Sequence, residues 1–159
     1  MKSRKMTKQS AIDRQPTTRS GECVDRARSA HMALIRGRDT KPEMRVRKVL
    51  HAAGLRYRLY DRGLPGSPDL VFPSRRIVLF VHGCFWHRHP GCPNARLPKS
   101  RQEFWGTKLS ANVERDARNR AALEAAGWSV LVIWECETRD PRRLASLAEE
   151  IRDHPTMRK

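Results

Sequence analysis

The chain has 159 residues, 38% of them hydrophobic, with 33 Lys and Arg against 17 Asp and Glu and a formal charge of +16. That length corresponds to one domain of ordinary size, with room for an extension but not for a second full domain. That charge points to a polyanionic partner. No apolar run approaches the ~18 residues that span a bilayer. The start, Met1-Lys2-Ser3-Arg4-Lys5, has no hydrophobic segment behind it, so neither a membrane protein nor an exported one is expected. Four cysteines in such a chain read as metal ligands or free thiols before they read as a disulfide framework.

Residues 1–27 are poor in apolar residues. The first 20 hold Lys2, Arg4, Lys5, Lys8, Arg14 and Arg19 against Asp13 alone, a local charge of +5 that leaves +11 for the rest. This segment is expected to be a flexible basic arm; the competing reading is an ordinary solvated terminus. A short helix is expected over Arg26–Arg36. Thr40 and Glu43 then form a capping box with Pro42 in the first turn, and Val46, Val49, Leu50 and Ala53 make an apolar helical stripe that Gly54 ends. Leu55-Arg56-Tyr57-Arg58-Leu59 alternates as a half-buried strand does. Asp69 to Phe72 and Ile77 to Val81 are strands on either side of a Pro73-Ser74-Arg75 turn. Ser100 and Glu103 suggest a second capping box, opening a long helical stretch, with room for a break, that runs to Ala126 and stops at Gly127. Trp128 to Trp134 reads as a buried strand. Asp140-Pro141 starts a last helix with Leu144, Leu147, Ala148 and Ile151 on one face. Antiparallel strands followed by a helical crossover to one more strand predict a three-layer α/β domain with a mixed sheet.

The chemistry is concentrated in Val81-His82-Gly83-Cys84-Phe85-Trp86-His87-Arg88-His89-Pro90-Gly91-Cys92. Cys84, His89 and Cys92 can supply three zinc ligands, and Cys136, at the end of a strand, the fourth; Cys23, in the arm, is the poor candidate. Three cysteines and a histidine would close the tetrahedron, so such a zinc is structural. The plain alternative is unrelated thiols and surface histidines. His82 and His87 remain outside that set as candidates for general acid–base work. Phe85 and Trp86 are large aromatics where a loop is normally polar: either they cover the metal or they form a wedge that inserts between stacked bases. Asp69 suits Mg²⁺ binding against a phosphate, although an Asp after Pro is most often a turn residue. Glu43 is already explained as the cap partner of Thr40.

Four segments, Leu64-Pro65-Gly66-Ser67-Pro68-Asp69, His82-Gly83-Cys84-Phe85-Trp86-His87, Asn112-Val113-Glu114-Arg115-Asp116 and Trp134-Glu135-Cys136, closely resemble the very-short-patch repair (Vsr) DNA mismatch endonucleases. The resemblance runs in order from about Arg28 to Cys136. It implies a restriction-endonuclease-like fold over residues 28–153, between the arm of residues 1–27 and a tail of residues 154–159. The implied activity is nicking of double-stranded DNA beside the thymine of a T:G mismatch, the lesion left by deamination of 5-methylcytosine. Carried over residue by residue, it implies that Asp69 and the main-chain carbonyl of Val81 bind catalytic Mg²⁺ and that His87 activates the attacking water. His82, Asp116 and Glu43 would complete the site, and Cys84, His89, Cys92 and Cys136 would bind structural zinc. Phe85, Trp86 and Met32 would intercalate next to the mismatch. A bacterial, cytoplasmic, nucleoid-associated monomer that works beside other mismatch-repair proteins is the implied setting.

Two departures are visible. The Glu-x-Lys pair common in nucleases of that fold is missing from the end of Arg76-Ile77-Val78-Leu79-Phe80-Val81, where His82 and His87 stand in, as they do in this family. Asn94 to Lys99 differs from the family pattern and leaves groove contacts and sequence preference open. Two rival functions use part of the same inventory. A zinc deaminase needs His-x-Glu and Pro-Cys-x-x-Cys, and the sequence has neither. A non-catalytic, zinc-stapled DNA-binding module would use the same charge and aromatics but has no need of Asp69, His82, His87 and Asp116 together.

Overall fold

The computed structural model describes residues 37–156. The basic arm, Cys23, the helix expected over Arg26–Arg36, Met32 and the end of the tail lie outside the described residues.

Helix α1 spans Lys41–Ala52. Thr40, in extended backbone, opens it, with its Oγ1 3.5 Å from the Glu43 amide. Glu43 reaches back to the Asp39 amide at 3.0 Å and accepts from the Thr40 hydroxyl at 2.8 Å. This variant of the expected capping box ties Glu43 one residue further upstream. Val46 and Leu50 are fully buried and Val49 and Ala53 pack beside them, as the stripe predicts. Glu43 and Arg47 are buried as well, which the apolar pattern does not reveal.

Strands β1 (Arg58–Leu59), β2 (Leu70–Phe72), β3 (Ile77–His82) and β4 (Ser129–Trp134) form one sheet in the order β1-β2-β3-β4. The first two pairings are antiparallel, and β3 pairs with β4 in parallel from Ile77↔Ser129 to His82↔Trp134. A parallel neighbour requires a crossover. Helix α2 (Gln102–Ala125) provides it, and helix α3 (Pro141–Asp153) follows, its Asp140 cap accepting from the Arg142 amide at 2.9 Å.

Alternating side chains send each strand to two cores. On one face Leu70, Phe72, Ile77, Leu79 and Ile133 meet α1 and α3, whose Leu144, Leu147, Ala148 and Ile151 are all buried. On the other, Val71, Val78 and Val130 meet Leu123 of α2. The mixed α/β architecture with a four-stranded mixed sheet is therefore the one expected.

Two local expectations are corrected. The strand read over Leu55–Leu59 contracts to Arg58–Leu59, and both residues are exposed; Leu55 turns inward from the end of α1 instead, with its amide bonded to the Leu50 carbonyl at 3.0 Å. The capping box Ser100/Glu103 does not form. Arg101, in left-handed backbone (φ 54°), precedes the first helical residue, and no side chain caps the helix, because Ser100 falls one position too early. Beyond that start α2 is continuous through Gly106.

Of the 24 residues of α2, those withdrawn from full exposure are Trp105, Gly106, Leu109, Asn112, Asp116, Asn119 and Leu123. Apart from Gly106 they recur at steps of four and three, one helical face, and half of that face is polar. Gly66, at φ +75°, lies against it so closely that a Cβ would sit 2.8 Å from Asn119 Nδ2. This glycine lets the loop that leads into β2 lie down on α2. Among the described residues no helix is long and apolar enough to cross a membrane.

Candidate active site and metal centre

β3 carries its inward pattern to His82, its last residue, and the Glu135 amide donates to the His82 carbonyl at 2.8 Å. The loop beyond folds back on itself, with the His87 amide on the Gly83 carbonyl at 3.1 Å and the His89 amide on the Cys84 carbonyl at 3.0 Å. That return stacks the His87 ring on His82, with centroids 3.9 Å apart and planes at 8°. Asp116, from the polar half of the α2 face, meets His87 Nδ1 at 2.5 Å. The tautomer that satisfies Asp116 carries its proton on Nδ1 and leaves Nε2 as the basic nitrogen. Burial and the neighbouring His87 hold His82 down to about 4, so it is neutral at physiological pH.

Asp69 stands immediately before β2. Its Oδ2 accepts from the Val81 amide at 2.7 Å, which places the carboxylate on β3 one residue before His82. Burial pushes it up to about 6; the Val81 hydrogen bond opposes that, and the nearby Glu43 carboxylate adds to it, against a pull from Arg47. Glu43 is itself 4% exposed. Its Oε2 takes Arg47 Nη2 at 2.9 Å and the Tyr60 hydroxyl at 2.6 Å. Burial, and next the bond to Glu43, hold the Tyr60 phenol above its ordinary value, so it is a donor.

A second cluster is drawn from the same loop and from Cys136, just past β4. Cys84, fully buried, with His89, Cys92 and Cys136 places its ligand atoms all within 4.8 Å of one another. His89 Nδ1 is 3.7 Å from Cys84 Sγ and 3.4 Å from Cys136 Sγ. A tetrahedral zinc with its usual bond lengths needs neighbouring ligand atoms about 3.5–3.8 Å apart, so the set fits that ion. Burial pushes the Cys84 thiol up to about 12, a cost that a bound cation would reverse by stabilising the thiolate. Trp134 stacks on His89 with centroids 4.2 Å apart and fixes its ring plane.

Phe85 and Trp86 meet edge to face at 5.2 Å, and both touch Trp105 from the first turn of α2, at 5.4 and 6.1 Å. Asn112 Nδ2 donates to the Trp86 carbonyl at 3.1 Å. Among the described residues it is Trp134, not this pair, whose ring stacks on a cluster ligand.

The fold thus gathers the singled-out residues into adjoining groups: His82, His87 and Asp116; Asp69 beside Val81, with Glu43 behind it; Cys84, His89, Cys92 and Cys136; and Phe85 with Trp86. Sequence reading missed Arg47, Tyr60, Trp105 and Asn112. The last two were within reach, since they share the α2 face that Asp116 defines. Arg47 and Tyr60 gave no signal, because a charged residue in a helix and a tyrosine after a strand look like surface.

Comparison with known proteins identifies the family. A family model described as DNA mismatch endonuclease Vsr matches residues 23–93. The type II nicking enzyme V.XorIIP of Xanthomonas oryzae pv. oryzae is 52% identical over 122 residues, 77% of this chain and 89% of that protein. The DNA mismatch endonuclease Vsr of Escherichia coli (strain K12) is 45% identical over 121 residues, 76% of this chain and 77% of that one. The type II nicking enzyme V.NmeAIP of Neisseria meningitidis is 43% identical over 130 residues, covering 79% and 92%. On these matches the chain belongs to the Vsr family of DNA mismatch endonucleases.

Proposed function

We propose that this member of the family is a zinc-stabilised, Mg²⁺-dependent endonuclease, restriction-endonuclease-like in fold over residues 28–153, that nicks double-stranded DNA next to the thymine of a T:G mismatch. The observation that carries this reading is the His82–His87–Asp116 group, with the Asp69 carboxylate bonded to the amide of the residue before His82.

The donor set suits a hard divalent cation. Asp69 is an oxygen ligand held in a buried place where a second carboxylate, Glu43, already disfavours its negative charge, and a cation relieves that. Asp69 and the main-chain carbonyl of Val81 would hold Mg²⁺, which when bound supplies charge neutralisation at the scissile phosphate. His87 Nε2 accepts the proton as water attacks phosphorus in line and the bond to the leaving oxygen breaks. Asp116, on the opposite nitrogen, holds the ring in the useful tautomer and stabilises the imidazolium that forms. His82, neutral and stacked on that ring, keeps a second positive charge away from it and is available to bond the phosphate.

Phosphate contacts made by a chain of charge +16 give affinity for any DNA. Discrimination falls to Phe85 and Trp86, backed by Trp105, as a wedge whose insertion costs a few kcal/mol of unstacking and less at a wobble pair. Zinc on Cys84, His89, Cys92 and Cys136 fixes the loop that bears both His87 and the aromatic pair.

Nicking of end-labelled duplexes that differ only in one base pair, with and without Mg²⁺, tests the whole reading. The expected product is one nick, in the thymine strand of T:G duplex, with Mg²⁺ required. Binding without nicking on every duplex would instead establish the non-catalytic module, and equal nicking of matched DNA would remove the mismatch from the function.

A further inference from the structure

Arg47 is 7% exposed and carries a full charge. A buried guanidinium is costly unless its partners are well placed, and well-packed apolar residues of the same volume often stabilise a fold as much or more. The start of α1 already has its cap in Thr40. Stability alone is therefore a weak reason for this charge to lie here.

Its partners suggest another. Arg47 Nη1 donates to Asp39 Oδ1 at 2.6 Å and Nη2 to Glu43 Oε2 at 2.9 Å. Nη2 also donates to the Tyr60 hydroxyl, which in turn donates to Glu43 Oε2 at 2.6 Å. The Asp39 amide and the Thr40 hydroxyl supply two more donors to the same carboxylate. Glu43 is thus held at both oxygens, by groups from its own helix, the segment before it and the end of β1.

Tyr60 links this cage to the reaction site. The β1–β2 register, Arg58↔Val71 and Leu59↔Leu70, puts Tyr60 opposite Asp69, and the Tyr60 amide lies 3.4 Å from the Asp69 carbonyl. Tyr60 adopts φ +50° there, a left-handed conformation that non-glycine residues disfavour. The ring bends back under the guanidinium, 5.0 Å from ring centroid to Arg47 Cζ. A single residue therefore binds Asp69 through its main chain and Glu43 through its side chain.

We propose that Arg47 and Tyr60 are positioning residues for nicking: they lock the Glu43 carboxylate beside Asp69 and thereby set how tightly the reaction site holds its divalent cation. The inference rests on the reading of Asp69 as the cation ligand. Neither residue touches DNA or the cation in this scheme; both act through carboxylates. Glu43 has few alternative positions once four donors converge on it, so the field at Asp69 is fixed before the ion arrives. Partners of this kind behind a metal ligand typically change metal affinity by about 10–100-fold.

The test uses the full chain and Mg²⁺ itself. Tyr60→Phe removes one hydroxyl and keeps the ring, and Arg47→Lys keeps the charge but loses the two-pronged geometry. Each variant is compared with the unaltered protein in the Mg²⁺ concentration that half-saturates nicking, in Mg²⁺ binding followed by calorimetry on the protein with uncleavable T:G duplex, and in melting temperature. The expected result is a rise of about tenfold in the Mg²⁺ requirement for both variants, seen equally in the calorimetry, with DNA affinity measured without Mg²⁺ unchanged. A Tyr60→Phe protein that melts lower but needs the same Mg²⁺ would make the network a structural anchor and overturn the proposal. Asp69→Asn separates the two levels. If it abolishes Mg²⁺ binding while Tyr60→Phe changes nothing, the positioning role alone fails; if Asp69→Asn binds Mg²⁺ normally, the assignment of the cation site fails and this inference with it.

Discussion

The two faces of the sheet are built on opposite plans. Toward α1 and α3 the strands present Leu70, Phe72, Ile77, Leu79 and Ile133 to a continuous apolar layer. Toward α2 the apolar cluster is Val71, Val78, Val130 and Leu123, and the strands then run out into His82 and Trp134 while the helix runs out into Asp116 and Asn112. The first face is packed by burial, each large side chain contributing ~1.5–3 kcal/mol. The second holds little apolar area where the chemistry lies, and there the ligand atoms of Cys84, His89, Cys92 and Cys136 gather within 4.8 Å of one another instead. A polar pocket open to a charged ligand cannot be filled with leucine, so its walls need a different fastening.

That contrast predicts a separation between stability and activity. The largest effect belongs to His87→Ala, which removes the proposed general base and should lower single-turnover nicking by about 10²–10⁴-fold, with melting temperature and DNA affinity close to unchanged. A rate within a few-fold of the unaltered protein would take His87 out of the mechanism. Next comes Cys136→Ala, which opens the fastening: zinc content and stability should fall together, by about 4 kcal/mol if the site is normally filled a thousandfold above its dissociation constant. Full metal content with an unchanged melting curve would show that the polar face stands without it. Leu147→Ala, on the packed face, should cost ~2–5 kcal/mol in denaturant unfolding, yet the nicking rate per folded molecule should be normal. An equal loss of rate would mean that the two faces are coupled.

The smallest effect is in pH, and it comes from Asp69 and His82. Asp69 goes from 3.8 to about 6 on folding, so its contribution favours the folded state below about pH 4 and is lost as pH rises through about 6. His82 goes from 6.5 to about 4, so its contribution is present above pH 6.5 and is lost as pH falls through about 4. The two slopes oppose each other, and in Mg²⁺-free buffer the net dependence between pH 4 and 6.5 should be shallow. Asp69→Asn should then unmask a melting temperature that drops on acidification, and His82→Gln the opposite slope. Parallel curves for all three proteins would show that neither group shifts on folding.

Legibility in the sequence followed the same division. Wherever burial is apolar and periodic, the elements were readable: the stripes of α1 and α3, and the runs that became β3 and β4. Boundaries set by one residue's backbone were not, as Arg101 shows by starting α2 in left-handed geometry where Ser100 was expected to cap it. The exposed pair Arg58–Leu59 carried a strand-like alternation without the burial that gives alternation its meaning.

What the sequence by itself determined is the inventory of chemistry and its local spacing. A loop of ten residues with two cysteines, two histidines and two aromatics just past an apolar strand, a carboxylate twelve residues before that strand's end, and a strong positive charge are all visible before any folding. Only the tertiary structure decided which of these groups meet. The parallel register His82↔Trp134 brings Cys136 to the loop, and the single polar face of α2 delivers Asp116 to His87 and Trp105 to the aromatic pair. The burial of Arg47 makes Glu43 more than a helix cap. The contacts of the loop with Asp116 and Cys136 join residues 29 and 47 positions apart through the rotation of a helix and the hydrogen-bonded register of a sheet, and neither quantity is written in any short window of sequence.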